Sequence, residues 1–345
     1  MKKDHLRNES VDIAKGIAVA IMIVANFSRD LLTSEDISFL HRFISSLAAP
    51  VFYYYSGYLN LSNKSVVPNK IPRFVWILIS AILVDLLVWN IFPLNNFDTL
   101  YGLAFCIIII KFLRFINIPL FFAFLFVLFF SIILHYLFQY RFQINELTLL
   151  EFFKNPNDYS LPNVFFRLFF DGWFPIFPWC AFSILGAHVR EKGFSEFDYI
   201  KNPLQIFIFT TCSLVFTVIL IYFFTKIPAL RDGYVELFYP FNILLFFTMI
   251  IWIFWLDITS KTLLRSVKFL KILGKYALFA YIFHTCISSF IFKFSENNFG
   301  YFQFLIVCFF YLVVLVKIVR IIDKSKDLTF FRMLPSSIKY ITGLK

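Results

Sequence analysis

Asn26, Arg29 and Asp30 close one apolar run of this sequence, and His41 opens the next. Imidazole titrates near neutral pH, a carboxylate can orient it, and an amide can donate to a developing oxyanion. Four such residues collected at one membrane depth have the make-up of a proton-transfer site. Taken alone, a loop histidine is more often merely solvated, so both readings stand. A second group lies far along the chain: His284 sits among Phe, Ile and Cys in YIFHTCISSF, and Asp171 opens DGWFPIFPWC. His284 is as readily a hydrogen-bonded packing residue as a catalyst. Asp85 falls inside VDLLVWN, where an ionised carboxylate costs about 2.5–3.5 kcal/mol at the centre of a bilayer and so needs a partner or water. Asp12 and Lys15, three apart on one helical face, either pair as an interfacial anchor or contribute to a site.

Several chemistries are absent. No Walker loop, dinucleotide fingerprint, nucleophile elbow or HExxH is present, so ATP-driven, hydride-transfer and zinc-protease mechanisms lack a motif. The five cysteines are scattered through apolar stretches, without the spacing of a zinc site or a disulfide framework. No metal is expected.

The elements that must position these groups are membrane helices. The chain is 60% hydrophobic and 15% charged over 345 residues, whereas soluble domains hold about 45–50% apolar and 25% charged residues. Ten apolar runs reach or approach the ~20 residues that span a bilayer: 11–28, 40–60, 73–93, 98–115, 118–138, 172–189, 203–225, 236–257, 270–292 and 300–320. With the N-terminus in the cytoplasm, the inner loops hold more than twice as many Lys and Arg as the outer ones. Both termini are therefore expected inside. The net charge of +11 is then mostly a topology signal, and no nucleic-acid partner is implied. Gly16 and Gly186 mark close helix contacts. Pro50, Pro175 and Pro178 mark bends, the last two at a cavity mouth. The expected fold is all-α, a polytopic transmembrane bundle over residues 1–322 with a cytoplasmic tail over 323–345.

Five segments in order resemble a known family. SVDIAKGIAVAIMIVAN, AAPVFYYYSG, FDTLYGLAFCIII, FPIFPWCAFSILGA and LGKYALFAYIFHT are similar to the successive signatures of the heparan-α-glucosaminide N-acetyltransferase catalytic-domain family of multispanning acetyltransferases. Lys15 replaces the family's usual Arg, and Asn26 stands where many bacterial members have His. The resemblance implies transfer of an acetyl or other short acyl group from acetyl-CoA to a sugar amine or hydroxyl, commonly on the far side of the membrane. It places the catalytic histidine between the first two spans, where His41 is the only one. On that view His41, Asn26, Asp30, Asp171 and His284 supply the chemistry, and Lys15, Lys70, Arg73, Lys111 and Arg114 meet the CoA phosphates.

The sequence thus leads to an acyltransferase of a prokaryotic cytoplasmic membrane, acting on an envelope glycan or a lipid-linked saccharide, with room for a homodimer. A proton-coupled transporter or flippase using Asp85, Asp171 and His284 is the other reading.

Overall fold

A computed structural model describes residues 9–32, 39–61, 72–95, 97–138, 154, 161–171, 173–192, 203–225, 243–262, 267–294 and 299–325. Thirteen α-helices order the described residues. The first six are α1 (Glu9–Leu31), α2 (Phe39–Ser46), α3 (Ala48–Leu61), α4 (Arg73–Val84), α5 (Thr99–Phe115) and α6 (Leu120–Phe138). They are followed by α7 (Leu161–Phe166), α8 (Ile176–Glu191), α9 (Pro203–Thr225), α10 (Ile243–Thr262), α11 (Lys268–Lys275), α12 (Ala277–Phe294) and α13 (Tyr301–Ser325). Each of the ten apolar runs falls on one of these helices or on a pair of them. By length and apolarity alone, Glu9–Ser28 and Tyr301–Ser325 suffice to cross a membrane, and α11 with α12 forms a third candidate bent by 82°. The all-α class holds. The number of crossings and the sidedness of the termini remain expectations.

The surface is apolar where a soluble protein would be polar. Phe122, Phe126 and Phe129 of α6 are exposed, as are Phe207 and Val218 of α9 and Phe302, Phe309 and Phe310 of α13. Such faces suit hydrocarbon, which removes the penalty that water would impose on them.

Inside, glycine sets the spacing. A Cβ on Gly57 of α3 would overlap the Ser183 carbonyl of α8, and one on Gly186 of α8 would overlap the Tyr54 carbonyl of α3. Ser183 Oγ also donates to the Tyr53 carbonyl at 2.8 Å. The same reciprocity joins α1 to α11, where Gly16 lies on the Leu270 carbonyl and Gly274 on the Asp12 carbonyl. Lipid offers no hydrophobic drive for helix association, so close backbone approach through small residues supplies the packing. The expectation for Gly16 and Gly186 is met, with Gly274 and Gly57 as their partners.

The prolines act at helix starts. The break near Pro50 lies at Leu47, and Pro50 sits in the first turn of α3, where its missing N–H has no intrahelical partner to lose. Pro175 precedes α8, Phe177 departs from helical geometry, and the Phe177–Pro178 bond is cis. Neither proline lines the cavity described next.

Candidate active site

A cavity of about 350 Å3 lies between α1, α3, α4, α5 and the junction of α11 and α12. Its volume falls in the ordinary range of small-molecule sites. It is elongated. Arg73 opens α4 and Thr99 opens α5, which runs back alongside it, and both residues line the cavity. Twelve residues of α4 at 1.5 Å each separate these ends by on the order of 18 Å.

One end carries cations. Lys15, Arg73 and Lys275 line it. Lys15 pairs with Asp12 at 3.0 Å, which realises the i,i+3 pair expected from the sequence. Lys275 bonds Asp323 of α13, and the Tyr276 hydroxyl donates to the same carboxylate at 2.7 Å. Lys275 and Tyr276 form the elbow between α11 and α12, so Asp323 holds the cavity rim at that bend. Helix α13 therefore continues past the expected tail boundary and contributes to the bundle. Leu59, Ile77, Leu103, Ile107 and Leu278 supply apolar walls, and Tyr55 joins them with its hydroxyl donated to buried Asp257 at 3.1 Å.

The other end is polar and braced. Asp98 caps α5, its carboxylate accepting from the Thr99 N–H at 2.6 Å. Its second oxygen accepts from the hydroxyl of Tyr281 on α12. Tyr281 lines the cavity, and its ring lies edge-on to His284 with centroids 5.2 Å apart. Nearby, Asp85 begins a short π-helical segment (Asp85–Trp89) and accepts from the Tyr101 hydroxyl at 2.6 Å. Asp85 is 1% exposed, and this bond to the neighbouring helix answers its need for a partner.

His284 and Asn26 meet directly. Nε2 of His284 lies 2.6 Å from Nδ2 of Asn26, and Nδ1 lies 3.3 Å from the Ala280 carbonyl. A carbonyl only accepts, so Nδ1 carries the proton and neutral Nε2 accepts from the Asn26 amide. This tautomer follows from the hydrogen-bond network. One amide hydrogen of Asn26 is spent on His284, and neither residue is among those that line the cavity.

His41 is placed differently. It is 6% exposed, with Nδ1 3.2 Å from the Tyr301 hydroxyl and its ring edge-on to Phe304 at 5.8 Å. The opening of α13 thus packs against the start of α2 and the end of α1, where Phe299 N–H donates to the Leu31 carbonyl at 3.3 Å. A burial this deep sets aside the solvated-loop alternative for His41. The side chains of Asp30 and Asp171, and all of Lys70, lie outside the described residues. Lys111 stands over the Phe74 ring at 5.3 Å, and Arg114 faces Glu191 at 3.8 Å; neither lines the cavity. Of the expected phosphate contacts, Lys15 and Arg73 do.

Sequence reasoning passed over Asp98 and Tyr281. Asp98 was legible as an acidic residue before a helix start. Tyr281 carried no signal, because its role depends on a contact between residues 183 positions apart. Among the described residues no group of His, Cys, Asp and Glu has the arrangement of a metal site.

No curated protein and no solved structure matches the chain. The profile of the heparan-alpha-glucosaminide N-acetyltransferase catalytic family matches residues 7–227. That stretch carries Lys15, Asn26, His41, Arg73 and Asp98, while Tyr281 and His284 lie beyond it. With well over half of its length matched, the chain belongs to this family, as a membrane-embedded enzyme of the acetyltransferase type.

Proposed function

We propose that the protein transfers an acetyl group from acetyl-CoA to an amine or hydroxyl of an envelope glycan or lipid-linked saccharide, across a prokaryotic cytoplasmic membrane. The observation that carries this reading is the elongated cavity, cationic at one end and bounded at the other by Tyr281, whose ring packs against His284, the partner of Asn26. The three cations suit the phosphates of CoA, and the apolar walls suit its pantetheine arm. Lys and Arg bias in the loops puts the cationic end on the cytoplasmic side, where the donor is made.

The residues then divide the work. Asn26, its amide fixed by His284, donates to the thioester carbonyl and stabilises the oxyanion that forms. His284 is a positioning residue, because its Nε2 lone pair is committed to Asn26. His41 is the general base. It takes the proton of the acceptor amine or hydroxyl as the new bond forms at the carbonyl carbon. The C–S bond breaks with its electron pair on sulfur, and the proton passes to the thiolate to give free CoA. Asp30 and Asp171 are proposed to support this end of the site.

The test is transfer of labelled acetyl from acetyl-CoA into envelope glycans by protein in liposomes. Asn26→Ala should lower kcat by about 10²–10³-fold, as loss of an oxyanion donor does. His41→Ala should lower it by about 10²–10⁴-fold. Wild-type protein that ignores acetyl-CoA and instead shows pH-driven substrate flux would establish a transporter.

A further inference from the structure

We propose that Tyr281, tethered by Asp98, is the gauge that sets the length of the acyl group. The inference rests on the donor occupying the cavity as proposed above. With the phosphates at Lys15, Arg73 and Lys275, the arm runs toward the end bounded by Thr99 and Tyr281. The acyl tail therefore meets the Tyr281 ring.

That ring has little freedom to yield. Tyr281 is packed edge-on against His284 on one side. Its hydroxyl is held by Asp98, which is itself fixed as the cap of α5. A swing of the ring would take from the half-buried Asp98 carboxylate one of its two hydrogen-bond donors and break the tie between α12 and α5. Retreat of the wall would thus leave unpaired polar groups, which is costly in a low-dielectric interior. The far end also offers the Thr99 and Tyr281 hydroxyls, poor company for extra methylenes. A two-carbon group fits in front of this wall, and a four-carbon group does not.

The experiment compares acetyl-, propionyl- and butyryl-CoA as donors with wild type, Tyr281→Phe and Tyr281→Ala in the same liposomes. Competition of each thioester against labelled acetyl-CoA binding is measured alongside. The wild type should favour acetyl over butyryl by about tenfold or more in kcat/KM, a discrimination that a shaped pocket attains for added methylenes. Tyr281→Ala should erase most of that preference, and Tyr281→Phe, which keeps the ring and loses the tether, should relax it in part. The same order should appear in the competition data, so a variant impaired in turnover still reports. An unchanged butyryl-to-acetyl ratio in both variants, by turnover and by competition, overturns the gauge while leaving the donor site intact. A wild type that uses butyryl-CoA as readily as acetyl-CoA also overturns it. A wild type that neither binds nor consumes any acyl-CoA removes the donor reading itself.

Discussion

Asn26 and His284 show how one hydrogen bond can assign roles to two residues. A neutral imidazole with its Nδ1 proton on the Ala280 carbonyl has one lone pair, and Asn26 occupies it. His284→Gln should therefore preserve much of the activity, since its side-chain carbonyl can accept the same amide hydrogen. His284→Ala should fall toward the level of Asn26→Ala. The double variant should be no worse than Asn26→Ala alone, because residues in one network act non-additively. Steady-state kcat for the four proteins checks this. Additive losses would mean that His284 acts on its own. Asn26 and His41 were singled out for their types and their place beside a short connection, and His284 as a histidine in an apolar run. Its bond to Asn26 was not legible, because no local pattern links positions 258 apart.

The helices fit together through glycine at two crossings, and the consequence is mechanical. A methyl group on Gly57 or Gly186 has carbonyl backbone in its way, which cannot rotate aside as a side chain can. Gly57→Ala and Gly186→Ala should each destabilise the protein by about 1–3 kcal/mol, the usual cost of overpacking. Thermal unfolding in detergent measures it, with Gly300→Ala as the comparison, since a Cβ there meets only the Gln303 side chain at 3.8 Å. Two of the four glycines at these crossings were readable because each lies within an apolar run where small size alone has a use. Their partners were not, since pairing is a property of two helices. Pro50 and Pro175 were read as bends, and the structure puts them at helix starts, where a missing N–H costs nothing. The elbow at Tyr276 was not readable, because LGKYALF holds no proline and its only glycine serves the crossing with α1.

At the scale of the whole molecule, the apolar runs gave the all-α class and the positions of the helices, because hydrocarbon leaves a chain few ways to satisfy its backbone. The division into crossings was less legible, since bends such as that of α11 and α12 split a run without changing its composition. Sidedness follows from Lys and Arg bias alone. Fusion of a fluorescent reporter to Lys345 should therefore give signal in the cytoplasm, while a phosphatase that works only outside should stay silent there. The opposite outcome would turn the cationic end of the cavity away from the cytoplasmic donor.

The Gly16–Gly274 crossing has a further consequence. It clamps the backbone of Asp12 against the start of the elbow, so that Lys15 and Lys275 are carried on two rods locked face to face. The relative placing of the two lysines is thus set by backbone packing. Capture need not wait for a segment to order itself, and the entropic toll of docking is correspondingly small. Gly274→Ala, whose Cβ would overlap the Asp12 carbonyl, would force the two rods apart and with them the lysines they carry.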